Sequence, residues 1–137
     1  MSKRILGLDY GTRRIGIAVS DPLGIIAQPV GVIENSQQVM QSVENFVAEY
    51  EAKKIVIGMP FNLKGERGQK AVETERFCML LEHDLNIPVI RWDERFTSKI
   101  SQQTLRTMKV KKKKREIKGT IDSMAAALIL QGYLDSR

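Results

Sequence analysis

Three acidic positions carry the chemistry this sequence has to offer: Asp9, the pair Asp93-Glu94, and Asp122. Asp9 follows the run Ile5-Leu6-Gly7-Leu8, so its carboxylate sits at the tip of an apolar strand. Desolvating that charge costs several kcal/mol unless something pairs with it. The partner is a divalent cation, a phosphate reached through one, or the amides of the turn that follows. Asp93-Glu94 ends a second apolar strand, and Asp122 is expected in the first turn of the last helix. Three carboxylates brought together resist ionising together. A hard, oxygen-seeking cation, Mg²⁺ or Mn²⁺, resolves that conflict and bridges to phosphate oxygens. Such a site suits metal-assisted hydrolysis of a phosphodiester.

Each acid also has a plainer reading. Asp9 accepts hydrogen bonds from its own turn. Glu94 pairs weakly at the surface with Arg91 or Arg95. Asp122 favours the helix dipole by roughly 0.3–1 kcal/mol. Asp21, followed by proline, reads as a turn residue. Thr12 and Asn62 are supporting candidates beside the acids, and Asn62 equally suits a loop cap. His83 lies near a helix end and reads as an exposed residue. Trp92 either stacks on a base or packs in the core.

The acids must be positioned by a fold that 137 residues are expected to build as one domain, 1–137. Apolar residues make up 42%, a globular composition. The single cysteine, Cys78, excludes an internal disulfide and reads as a small buried residue. No apolar run has the length of a signal-peptide core or a membrane span, so a cytoplasmic protein with no membrane partner is expected. The net charge of +6 is concentrated. Of 22 Lys and Arg and 16 Asp and Glu, seven basic and one acidic residue fall within 109–118, leaving fifteen of each sign elsewhere. The basic seven are Lys109, Lys111, Lys112, Lys113, Lys114, Arg115 and Lys118. This arm, with Arg13 and Arg14 beside Asp9, is a candidate surface for a polyanion. Its contacts would be to phosphates and would carry little sequence information.

Short apolar or alternating segments over 4–10, 14–20 and 25–34 predict three strands joined by tight turns, with Pro29 marking an edge or bulge. A helix capped by Asn35 or Ser36 follows, with Val39, Val43, Phe46, Val47 and Tyr50 on one stripe. A buried strand over 54–60, a loop over 61–68, a helix over 69–84 and a strand over 88–93 come next. The chain ends with a helix from Thr97 or Ser98 to about 108, the basic segment, and a last helix opened by Thr120 after Gly119. A three-strand antiparallel meander feeding crossover units predicts an α/β fold. Its sheet is mixed and five-stranded, with parallel strands beside the meander and helices on both faces. Functional groups in such sheets gather at the carboxyl ends of the strands. Pattern alone does not bring the last helix there.

Four blocks in order resemble the YqgF/RuvX family: Asp9-Tyr10-Gly11-Thr12-Arg13-Arg14-Ile15-Gly16 through Asp21; Ile57-Gly58-Met59-Pro60 with Asn62 and Gly65; Asp93-Glu94-Arg95-Phe96-Thr97-Ser98; and Ile121-Asp122-Ser123 with Ala125-Ala126. This family is a bacterial branch of the RNase H-like nucleases, associated with pre-16S rRNA processing and earlier with Holliday junction resolution. The resemblance implies an RNase H-like fold and a divalent-metal site at Asp9, Glu94 and Asp122, with Asp93 in support. It also implies an RNA partner, pre-16S rRNA or a ribosomal particle. A DNA junction resolvase and a non-catalytic RNA-binding scaffold are alternatives, and both a monomer and a homodimer are compatible. Phe61 and the dense lysine run depart mildly from the family pattern.

Overall fold

The computed structural model describes residues 4–60, 68–94 and 115–137, with backbone only for 115–120. Five strands form, β1 (Ile5–Asp9), β2 (Arg14–Ser20), β3 (Ala27–Glu34), β4 (Lys54–Met59) and β5 (Val89–Asp93). Three helices accompany them, α1 (Val39–Tyr50), α2 (Gln69–Leu85) and α3 (Arg115–Asp135). The strand order is β3-β2-β1-β4-β5. The first three strands are antiparallel neighbours, and β4 and β5 run parallel to β1. The expected mixed sheet is therefore present, and the carboxyl ends of β1, β4 and β5 share one edge.

Strand alternation divides the core between the two faces. Leu6, Leu8, Ile15, Ile17, Ile55 and Ile57 pack against Val43 of α1 and Phe77, Cys78 and Leu81 of α2. Ile5, Ala18 and Val56 face Ala126, Ile129, Leu130 and Leu134 of α3 on the other side. Burial pushes the Cys78 thiol up to about 12, so it stays a protonated core residue. Trp92 packs edge-on to Tyr133, with centroids 6.0 Å apart, which favours its packing role over base stacking. His83 is exposed beside Asp84. No helix among the described residues is long and apolar enough to cross a membrane.

Several boundaries moved for physical reasons. Pro29 does lie on the edge strand, where register jumps from Ile17–Gly31 to Ala18–Pro29 and leaves Val30 as the extra residue. Strand β3 begins at Ala27 instead of residue 25, because the amides of Ile25 and Ile26 donate to Asp21 Oδ1 at 2.6 and 2.8 Å. Those bonds make Asp21 the expected turn residue and hold its carboxyl below the usual range. Helix α1 starts at Val39, without a side-chain cap bond. Asn35 donates its amide to the Gly11 carbonyl at 2.9 Å, tying the β1–β2 turn to the end of β3. Helix α3 begins at Arg115 and runs through Gly119 and Thr120, so Thr120 does not open it. The helix expected over 97–108 and most of the 61–68 loop lie outside the described residues.

Helix α2 is clamped to β5 through Arg91. Its guanidinium donates to Glu75 at 3.1 and 2.7 Å and to Glu82 at 2.9 and 2.8 Å. The expectation that Arg91 pairs with Glu94 is thereby corrected. Arg91→Met should lower stability by about 2 kcal/mol in urea unfolding, because two neighbouring carboxylates lose their shared cation. Arg91 holds the Glu82 carboxyl below its ordinary value of 4.5, so this contribution is present above that value and lost as pH falls through the lowered one. The gap between wild type and variant should therefore narrow on acidification below about pH 4.5. A gap constant from pH 7 to pH 3 would contradict the assignment.

Candidate active site

Asp9 ends β1 on the same face as Gly7, over which Leu130 of α3 lies. Its antiparallel partner on β2 is Gly16. On the other side β1 and β4 pair up to Leu8–Ile57, so the next residue of β4, Gly58, flanks Asp9 there. The middle of the sheet edge thus reads Gly16, Asp9, Gly58 across three strands. Only the central position carries a side chain.

The two glycines are where the other acids arrive. A Cβ on Gly16 would overlap the Asp122 carbonyl and lie 3.0 Å from the Ser123 nitrogen, so α3 crosses β2 in backbone contact at Asp122. A Cβ on Gly58 would lie 2.8 Å from Glu94 Cγ and 2.6 Å from Ile129 Cδ1, so the Glu94 side chain lies over β4. Asp122 and Glu94 therefore approach Asp9 from opposite sides on one face. Asp93 precedes Glu94 at the end of β5, paired with Met59. Among the described residues no three His, Cys, Asp or Glu form a ready-made metal cage.

Two cations temper this concentration of charge. Arg14 Nε donates to Asp122 Oδ2 at 2.7 Å, with the two side chains 42% and 20% exposed. Arg14, a candidate phosphate contact, is thus an ion-pair partner of a candidate site acid. Lys70, at the start of α2, lies close enough to Glu94 to favour its ionised form. Burial outweighs it, and Asp93 adds repulsion, so the Glu94 carboxyl titrates above its ordinary 4.5. An acid whose folded value is raised costs stability once pH passes its unfolded value. Glu94→Gln should accordingly raise the thermal midpoint at pH 7, with the advantage vanishing below about pH 4.5. A lower midpoint for the variant at pH 7 would contradict this.

Asp122 stands about two turns into α3, where the helix dipole no longer favours an acid appreciably. The dipole reading and the first-turn placement are both corrected. Thr12 and Arg13 are exposed in the turn beyond Asp9. Asn62, Lys109 and Lys111 to Lys114 lie outside the described residues, while Arg115 and Lys118 fall on the first turns of α3. Gly16, Gly58 and Lys70 did not figure among the expected site residues. Glycine inside a strand is itself a signal of close approach, and it marked the first two.

A five-stranded sheet in this order, with helices on both faces, defines an RNase H-like fold. The fold matches T. thermophilus RuvC, solved with a Holliday junction substrate, with TM-score 0.59 and 14% identity over 98% of this chain and 95% of that one. It also matches the Fowlpox virus resolvase, solved with Holliday junction DNA, with TM-score 0.52 and 14% identity over 97% of each chain. The RuvX family model, described as Holliday junction resolvase, matches residues 3–136, and the chain belongs to this family. A relative in Sulfurihydrogenibium sp. (strain YO3AOP1) is 46% identical over 134 residues, 96% of this chain and 90% of the relative. Another, in Geobacillus sp. (strain WCH70), is 44% identical over 138 residues, 98% and 99% of the two chains. Both carry the name "Putative pre-16S rRNA nuclease".

Proposed function

We propose that residues 1–137 act as one cytoplasmic, metal-dependent nuclease domain that hydrolyses phosphodiester bonds in RNA, maturing the 5′ end of pre-16S rRNA. The observation that carries this reading is the sheet edge itself. Asp9 stands between two glycines, with the Asp122 backbone over one and the Glu94 side chain over the other. The names of the relatives support the substrate.

The donor set fits Mg²⁺ or Mn²⁺. It offers carboxylate oxygens only, from β1, the end of β5 and α3, and no soft ligand. Mg²⁺ keeps several waters and is held by one or two carboxylates plus substrate phosphate, so a closed cage is not required. Asp9, Glu94 and Asp122 would hold the cation, and it would supply Lewis-acid polarisation of the scissile phosphate and a more acidic water. The chain's own groups do the positioning. Asp9, fixed by the strand ladder, would be the rigid central ligand of the set. Glu94, buried over β4 beside Asp93, would be relieved by the cation of the burial and repulsion that disfavour its charge. Arg14 orients Asp122 through their ion pair. Asp93 would support the site, and Asn62 is a further supporting candidate. Thr12 in the turn beyond Asp9 would support the site, and Arg13, with Lys109, Lys111 to Lys114, Arg115 and Lys118, would meet flanking phosphates.

The description of the family model favours a second reading, resolution of branched DNA by the same acids. Cleavage of a 5′-extended 16S precursor, a duplex and a four-way junction, each with Mg²⁺ or Mn²⁺ and with chelator, separates the two. Metal-dependent trimming of the precursor, with the junction left intact, is the expected result. Cleavage confined to the junction would transfer the function to DNA. Binding without cleavage of any substrate would make the chain a scaffold.

A further inference from the structure

A cleft of about 430 Å³ opens at the same sheet edge, on the face opposite the acids, between the N-terminal halves of α1 and α2. Tyr10, the residue after Asp9, lines it and packs with the α1–α2 side of the core. Clefts outside the carboxyl ends of strands are where open α/β sheets take ligands, and this volume falls in the usual range for them.

The lining selects among ligands. Tyr10, partly buried, supplies the aromatic surface, backed by the buried Phe77 ring with centroids 4.9 Å apart and inclined at 42°. Gln37 is exposed at the rim, and among the described residues no hydrogen bond engages its amide, which offers both donor and acceptor. Asn35 also lines the cleft, with one amide hydrogen committed to the Gly11 carbonyl. Arg76 and Glu73 contribute one charge of each sign. A cleft without net charge does not select a phosphate. The Tyr10 ring beside the unengaged Gln37 amide selects a planar, uncharged heterocycle with donors and acceptors on its edge, which describes a nucleobase.

The route between the two sites is fixed. The Asn35 amide nitrogen donates to the Arg13 carbonyl at 2.9 Å, and its side chain donates to the Gly11 carbonyl at 2.9 Å. The turn over 11–13, which separates the acids from the cleft, is thereby pinned. A strand held at Asp9 and crossing this turn bends away from its neighbours, and a base beyond the turn leaves the stack. We propose that the cleft is a subsite for one unpaired nucleobase of the substrate strand, a few nucleotides from the bond being cut. This rests on the nuclease reading above and deepens it, since the cleft selects single-stranded substrate near the cleavage point.

The test reads binding without turnover. Full-length Asp9→Asn protein is titrated, by fluorescence anisotropy, with single-stranded RNA oligonucleotides spanning the 5′ end of 16S rRNA. An abasic residue is moved one position at a time along them. One position should stand out, its base loss weakening binding about tenfold. That penalty should disappear in Tyr10→Leu and shrink in Gln37→Ala, because the base then has less to lose. Gln37 is exposed, so its variant leaves the core untouched and keeps the test valid if Tyr10→Leu fails to fold. Equal losses at every position, or losses that add in full to those of Gln37→Ala, would overturn the subsite. Cleavage by the wild type without such coupling overturns the subsite alone. Coupling in a protein that cuts no substrate overturns the nuclease reading and leaves the base site standing.

Discussion

Gly16→Ala is expected to displace α3 where it crosses β2 and to lower cleavage by about 100-fold or more. The added methyl would coincide with the Asp122 carbonyl, which is backbone and cannot rotate aside. Either the helix lifts or β2 bends, and overpacking of this kind costs about 1–3 kcal/mol. The activity loss should exceed what destabilisation explains. Asp122 reaches the sheet edge only because its helix lies directly on Gly16, the cross-strand partner of Asp9. A misplacement of about 1 Å at a reacting centre can by itself cost 10²-fold. Gly31→Ala is the control. It sits in β3 with Phe46 Cζ 4.0 Å away as its nearest neighbour, so it should stay within about 0.5 kcal/mol of wild type. Urea midpoints and single-turnover rates for both variants decide the matter. A Gly16→Ala protein with wild-type midpoint and rate would mean that the helix does not rest on that glycine.

The order of elements along the chain, the mixed sheet and the acids at strand ends were legible because they follow from local pattern and connection rules. Apolar runs of strand length, short turns and a helical stripe over Val39, Val43 and Phe46 gave the architecture without tertiary information. What escaped was the start of the last helix. Gly119 costs about 1 kcal/mol inside a helix and follows a dense cationic segment, so local propensity places the boundary after it. The helix still extends back to Arg115, because its turns from Ile121 to Leu130 are nucleated by burial and further residues add to a formed helix at little cost. The convergence of the acids was equally hidden, because it depends on cross-strand register and on the path of α3. Gly16 and Gly58 carried a usable hint. Each interrupts an apolar strand with a residue that packs nothing, and each stands beside Asp9 where another chain segment must pass.

Asp9→Asn should abolish measurable cleavage, a loss of about 10³-fold or more, while leaving the fold intact. Supporting partners of metal ligands already cost 10–100-fold on removal, and Asp9 occupies the centre of the proposed set. Asparagine keeps the shape and one acceptor oxygen, so the end of β1 loses no packing. It loses the charge that both flanking acids confront, so thermal stability should hold or rise at pH 7. Binding of RNA should hold or tighten as well, since one negative charge facing phosphates is gone. The three readouts together are diagnostic. An acid serving only to hold its turn would give the opposite pattern, with a lower melting temperature and cleavage within about tenfold of wild type. That result would remove Asp9 from the site, and with it the reason for glycine at both neighbouring positions.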